Sequence, residues 1–191
     1  KPPPRWFLDS ASVADVTGNG RKELVVSFNL EANYERTGDV YHNVSMMTLD
    51  EGGPYPKWSQ LNGLLREDAS TASGVVTNMR TVAVADINND RRSDVIIEKE
   101  VVGSGKSWVA YLADTDANGN LKFTRDATRI PTPSRSEEYM AIGLFDYDDT
   151  DLQNLPDLLY RRMNVQSGTY EIRVAVNTGT DFDNSALWYS N

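Results

Sequence analysis

The residues of this chain best suited to chemistry lie in three short acidic stretches. The most regular is Asp86-Ile87-Asn88-Asn89-Asp90-Arg91-Arg92-Ser93-Asp94, with oxygen-bearing side chains at its first, third, fifth and ninth positions. A tightly wound loop can turn such positions toward one point. Three carboxylates crowded there repel one another unless a cation sits among them. A hard cation with oxygen ligands, calcium above all, suits that set. The competing reading is a polar turn, since Asp and Asn are ordinary turn residues.

Recurrence favours the metal. Asp15-Val16-Thr17-Gly18-Asn19-Gly20-Arg21-Lys22-Glu23 puts Asp15, Thr17, Asn19 and Glu23 on the same four positions. Gly20 comes sixth, where a sharp bend favours a residue without a side chain. A third copy starts at Asp146-Tyr147-Asp148-Asp149-Thr150-Asp151 and closes at Asp157, three residues late. The leading aspartates lie 71 and 60 residues apart, the size of one supersecondary unit used repeatedly.

These three segments resemble the FG-GAP or VCBS repeats of integrin-alpha-type β-propellers, whose blades carry an Asp-x-Asp-x-Asp-Gly-x-x-Asp calcium loop between two strands. The resemblance spans nearly the whole chain. It implies two to three calcium ions. In loop one the ligands would be Asp15, Thr17, Asn19 and Glu23, with the carbonyl of Arg21. In loop two they would be Asp86, Asn88, Asp90 and Asp94, with the carbonyl of Arg92. In loop three Asp146, Asp148 and Asp157 would serve, with Thr150 or Asp151 fifth and the carbonyl of Leu152. Arg91 stands where the family usually has Gly, which strains the bend without removing a ligand. An EF-hand is rejected for loop three, because Asp151 holds the sixth position and the flanks are β-rich. Asp114-Thr115-Asp116-Ala117-Asn118-Gly119-Asn120 begins like a fourth loop. Lys122 falls where the closing acid belongs, and Asn118-Gly119 is a hairpin signal, so a turn is expected.

The elements around these loops read as strands, with no sustained 3.6-residue apolar period. An all-β chain follows, and the resemblance implies about three four-stranded β-propeller blades of FG-GAP/VCBS type, part of a larger propeller. Their approximate spans are 9–62, 80–130 and 138–191. Residues 1–8, with Trp6, would be a strand of a neighbouring or clasped blade. Trp58 and Trp188 lie 43 and 42 residues after their leading aspartates, late in each unit, where the middle unit offers Ile130. Leu64-Leu65-Arg66 suits one helical turn in the connection between units. Asn177-Thr178-Gly179-Thr180-Asp181-Phe182 resembles the turn before the last strand of many such repeats.

Composition narrows the function. A formal net charge of −9 opposes binding to nucleic-acid phosphates or anionic membranes. No apolar run is long enough for a membrane helix, so membrane insertion is not expected. There are no cysteines, which removes thiolate chemistry and disulfides. His42 is the only histidine, so a His-based triad or multi-His zinc site within this chain is excluded. Asn43-Val44-Ser45 is a glycosylation sequon. The start at Lys1-Pro2-Pro3-Pro4, without methionine, suggests a boundary inside a longer protein.

The resemblance implies a non-enzymatic module of a secreted or surface protein, for adhesion, ligand recognition or a structural shell such as that of bacterial toxin complexes. Its partners would be a protein or glycan, and further blades of a parent chain or other copies of itself. The alternative is a carbohydrate-binding propeller or an accessory domain of a polysaccharide-active enzyme, with Trp58 or Trp188 stacking on a sugar.

Overall fold

The computed structural model describes residues 5–31, 40–50, 57–60, 65–68, 76–101, 103, 105–134, 136–145, 155–182 and 186–190. Among them every regular element is a strand: β1 (Arg5–Ala14), β2 (Glu23–Glu31), β3 (Val40–Asp50), β4 (Lys57–Gln60), β5 (Leu65–Asp68), β6 (Val76–Ala85), β7 (Asp94–Val101), β8 (Gly105–Thr115), β9 (Leu121–Asp126), β10 (Glu137–Gly143), β11 (Asp157–Met163), β12 (Tyr170–Ala175) and β13 (Ala186–Ser190). No helix among the described residues is long and apolar enough to cross a membrane.

The strands form three antiparallel sheets. Two run in simple order, β6-β7-β8-β9 and β10-β11-β12-β13; the first runs β1-β2-β3-β4, with β5 also paired to β3. This meander follows from short connections, which favour hairpin neighbours. Two expectations are corrected here. Leu65 and Arg66 lie in a strand paired with Val44 and Asn43, not in a helical turn. Arg5–Leu8 is no separate strand, because β1 continues through Val13 and pairs with β2 from Arg5↔Glu31 to Ala14↔Glu23. A bulge between Leu8 and Ser10 absorbs the irregularity that reads in sequence as a break.

Alternation of side chains across each strand builds two cores. In β7, Val95 and Ile97 join a core with Val25, Val44 and Met46 of the first sheet. Ile96 points the other way and joins Trp108, Leu158 and Tyr160 in a core with the third sheet. The middle sheet is therefore covered on both faces, which is why β7 reads as a near-continuous apolar run. Polar contacts pin the sheets in register. Asp9 Oδ2 accepts from Thr81 N at 2.8 Å and from Ser27 Oγ at 3.1 Å. Asn177 Nδ2 donates to the carbonyls of Ile87 and Pro156, both at 3.1 Å. The turn expected at Asn177 is present, with an Asn177↔Phe182 bridge and Gly179 at φ 85°.

Candidate metal centre

Loops one and two share their bonds to the first, fifth and ninth side chains and differ at the third position, where Thr17 Oγ1 donates to Glu23 Oε1 at 3.1 Å and Asn88 Nδ2 donates to Asp90 Oδ2 at 3.2 Å. In loop one the first-position carboxylate of Asp15 accepts from Gly18 N (2.7 Å), Asn19 N (3.2 Å) and Gly20 N (2.7 Å). In loop two Asp86 accepts from Asn89 N (2.7 Å), Asp90 N (3.3 Å) and Arg91 N (2.8 Å). The fifth residue accepts from the seventh amide in both: Arg21 N to Asn19 Oδ1 at 2.7 Å, Arg92 N to Asp90 Oδ1 at 2.8 Å. The ninth residue accepts from the second amide: Val16 N to Glu23 Oε2 at 2.9 Å, Ile87 N to Asp94 Oδ2 at 3.0 Å. Backbone conformation matches too, with positive φ at the fourth and sixth positions, Gly18 and Gly20 in one loop, Asn89 and Arg91 in the other.

Arg91 at φ 70° bears out the strain expected of a side chain at the sixth position. Its side chain is exposed, so little packing is lost on removal. Arg91→Gly is expected to stabilise the protein by about 0.5–1 kcal/mol, the left-handed cost less the extra entropy of glycine in the unfolded chain. Urea melts of the two proteins check this, and a less stable variant contradicts it.

The closing acids are buried: Glu23, Asp94 and Asp157 are 1%, 0% and 2% exposed. Each starts a second strand and reaches back into its own unit. Asp94 Oδ1 also accepts from Ala113 N at 2.8 Å, and Asp157 Oδ1 accepts from Asn177 N at 2.9 Å. The Asp94 carboxylate thus ties its loop, the second strand and the end of the third strand together. Burial pushes the Asp94 carboxyl up to about 7; the amides of Ala113 and Ile87 oppose this, and the charges of Asp90 and Asp86 add to it.

The two loops touch. Ser93 N donates to the Asp15 carbonyl at 2.6 Å, and the Arg92 side chain crosses over Gly18, where an added Cβ would lie 2.8 Å from Arg92 Cγ. Arg92 then reaches Asp114 Oδ1 at 3.1 Å, and Lys122 holds Asp114 Oδ2 at 3.1 Å. The Asp114–Asn120 segment is the expected hairpin turn, closed by Asp116 N to Asn120 O at 2.8 Å. Its acids serve ion pairs and turn amides.

Loop three differs more than its sequence suggests. Gly143 pairs with Asp157 as Ala14 pairs with Glu23 and Ala85 with Asp94. Measured from those pairs the connection is residues 144–156, five longer than 15–22 or 86–93. Asp146, Asp148, Thr150, Asp151 and Leu152 lie outside the described residues; Asp157 alone of that set is placed.

A hard cation is chemically compatible with loops one and two. Every expected side-chain donor is an oxygen, and a carboxylate oxygen that accepts one amide keeps a lone pair. Yet among the described residues no three acidic side chains converge closely enough to hold an ion, the first and ninth carboxylates being turned to backbone amides.

A second concavity lies between the middle and third sheets, at the end of β7 away from its acidic loop. It encloses about 650 Å³ and is lined by Glu98, Lys106, Trp108, Tyr139, Arg161 and Tyr170, among others. Burial opposes ionisation of Glu98, but the Trp108 indole N–H (2.9 Å), Arg80 and Lys106 outweigh it and hold the carboxyl below its ordinary value. Arg161 pairs with Glu138 and lies 4.7 Å from the Tyr170 ring centroid. Sequence reasoning missed this groove, because its residues come from five strands with no common spacing. The side chains of Trp6, Trp58 and Trp188 lie outside the described residues. Trp58 and Trp188 do fall in the fourth strands, β4 and β13, whereas Ile130 follows β9.

No family model, curated protein or solved structure matches this chain.

Proposed function

We propose that this chain is a calcium-stabilised module of β-propeller type, serving a secreted or surface protein as a non-enzymatic scaffold for adhesion or ligand binding. The observation that carries the reading is the matched set of amide bonds to the first, fifth and ninth side chains of loops one and two, with oxygen donors at matched positions and the same left-handed fourth and sixth residues. Asp15, Thr17, Asn19 and Glu23 would hold one ion, and Asp86, Asn88, Asp90 and Asp94 another. Bound calcium would supply positive charge that offsets the clustered acids. Loop one offers two carboxylates against three in loop two, so it should bind more weakly and fill at the high calcium levels met outside cells. The three antiparallel meanders, two of four strands and one with a fifth strand added, support the propeller architecture.

Thermal melts of metal-free protein with EDTA and with millimolar calcium test the reading. A ligand of the folded state adds about 2.7 kcal/mol at a hundredfold excess over its Kd. Asp86→Ala should lose one equivalent of calcium and Asp114→Ala none. Identical melts, or unchanged stoichiometry in Asp86→Ala, would exclude it.

A second reading, a carbohydrate-binding module, is favoured by the groove. Its charges are matched internally, Glu98 by Arg80 and Lys106, and Glu138 by Arg161, so it offers an ionic ligand little. Tyr170, 47% exposed, presents an aromatic ring at a polar rim, which suits a neutral polyhydroxylated ligand. Glycan-array binding lost in Tyr170→Ala without unfolding would support it.

A further inference from the structure

Loops one and two are joined through one peptide group. Ser93 N, eighth in loop two, donates to the carbonyl of Asp15, first in loop one, at 2.6 Å. The carbonyl of that same peptide group belongs to Arg92, seventh in loop two and the expected backbone donor to its ion. The group is planar and trans, so its C=O and N–H point in opposite directions. An ion held by the Arg92 oxygen would therefore fix the direction of the N–H that holds Asp15. Asp15 is the residue on which loop one winds, since its carboxylate takes the amides of Gly18, Asn19 and Gly20. The Arg92 side chain adds a second contact. It crosses Gly18, where a Cβ would lie 2.8 Å from its Cγ, and ends on Asp114 Oδ1 at 3.1 Å.

The third unit lacks this device. Gly143 pairs with Asp157 as Ala85 pairs with Asp94, so the counterpart of Ser93, the residue before the closing acid, is Pro156. Proline has no amide hydrogen to offer Asp86. Asn177 Nδ2 makes the link there instead, to the carbonyls of Ile87 and Pro156.

We infer that loops one and two bind calcium with positive cooperativity, transmitted through the Arg92–Ser93 peptide group. Loop two, with more carboxylates, fills first and prepares loop one. The inference rests on the calcium reading and adds regulation to it. Two effects set the sign. An ion at the Arg92 carbonyl polarises the peptide group and strengthens its N–H as a donor. Holding Asp15 in place removes part of the ordering cost that loop one otherwise meets on binding. Repulsion between two divalent ions opposes both, but the loops lie at the surface, where physiological salt screens charges over about 8 Å.

Amide NMR during a calcium titration of this chain at physiological salt tests it, with Gly20 N–H reporting loop one and Asn89 N–H loop two. Asp86→Ala disables loop two and should raise the loop-one midpoint about fivefold, the worth of one net hydrogen bond. Linkage is reciprocal, so Asp15→Ala should raise the loop-two midpoint by the same factor. Ser93→Pro copies Pro156 and removes the bridging hydrogen. It should raise the loop-one midpoint equally, and adding Asp86→Ala should raise it no further. Circular dichroism checks folding. Asp90→Asn provides a second variant: it copies Asn19, keeps an acceptor for the Arg92 amide and weakens loop two, so it should raise both midpoints. Midpoints that ignore each other, or a loop-one midpoint that falls in Asp86→Ala, overturn the inference and leave the calcium reading standing. A further rise when Asp86→Ala is added to Ser93→Pro also overturns it, because the coupling then runs elsewhere. If neither amide responds to calcium, the calcium reading and the inference fail together.

Discussion

Asp94→Ala is expected to destabilise the protein by about 3 kcal/mol, far more than its place beside a surface loop suggests. The carboxylate is fully buried and takes the amides of Ile87 and Ala113, and each orphaned buried amide costs about 1–3 kcal/mol. Relief of an uncompensated buried charge offsets part of that. Equilibrium urea unfolding in EDTA measures it, and a loss under 1 kcal/mol would show that water replaces the brace. Asp114→Ala is the contrast, since its exposed ion pairs with Arg92 and Lys122 contribute little.

The same group makes a pH prediction with a definite sign. The folded Asp94 carboxyl sits at about 7, above its ordinary 3.8. A raised carboxyl contributes stability that is complete below about 4 and lost as pH rises through about 7. In EDTA the advantage of wild type over Asp94→Asn should therefore narrow between these limits. With calcium bound the ionised form gains a partner, and the narrowing should vanish. An advantage that is independent of pH in EDTA would contradict the burial argument.

Trp108→Ala is the second large effect, expected at about 4 kcal/mol, in the range for removing a buried aromatic. Trp108 is 4% exposed, donates to Glu98, and meets the edge of Tyr139 at 5.4 Å between centroids. It belongs to the core that joins the middle and third sheets, so its loss should loosen those sheets from each other more than it disturbs the first sheet. Hydrogen exchange should accelerate in β10–β12 while amides of β2 and β3 keep their protection. Uniform acceleration would mean that the sheets unfold as one unit. Trp108→Phe should cost much less, because Glu98 keeps Arg80 and Lys106.

Much was legible in the residues alone. The lack of a sustained 3.6-residue apolar period marked the all-β class, because a helix would have to show its buried face at that spacing. The spacing Asp15–Glu23 and Asp86–Asp94 located the two loops, because a loop's hydrogen bonds are local. Those between the Asp86 carboxylate and the amides of Asn89, Asp90 and Arg91 span at most five residues. The strain at Arg91 was legible for the same reason.

What depended on distant partners was not. The continuity of β1 through Trp6 is decided by β2, and the strand at Leu65–Asp68 by β3, because a short strand exists only where an edge offers it partners. The true length of loop three emerges from the Gly143↔Asp157 pair, which no count from Asp146 reveals. Sequence placed Asp94 among the donors, but only the fold joined it to Ala113, 19 residues on, and made it a brace. The groove around Trp108 and Tyr170 exists only because sheets stack. Stacking is a contact between residues far apart in the chain, and local spacing carries no record of it.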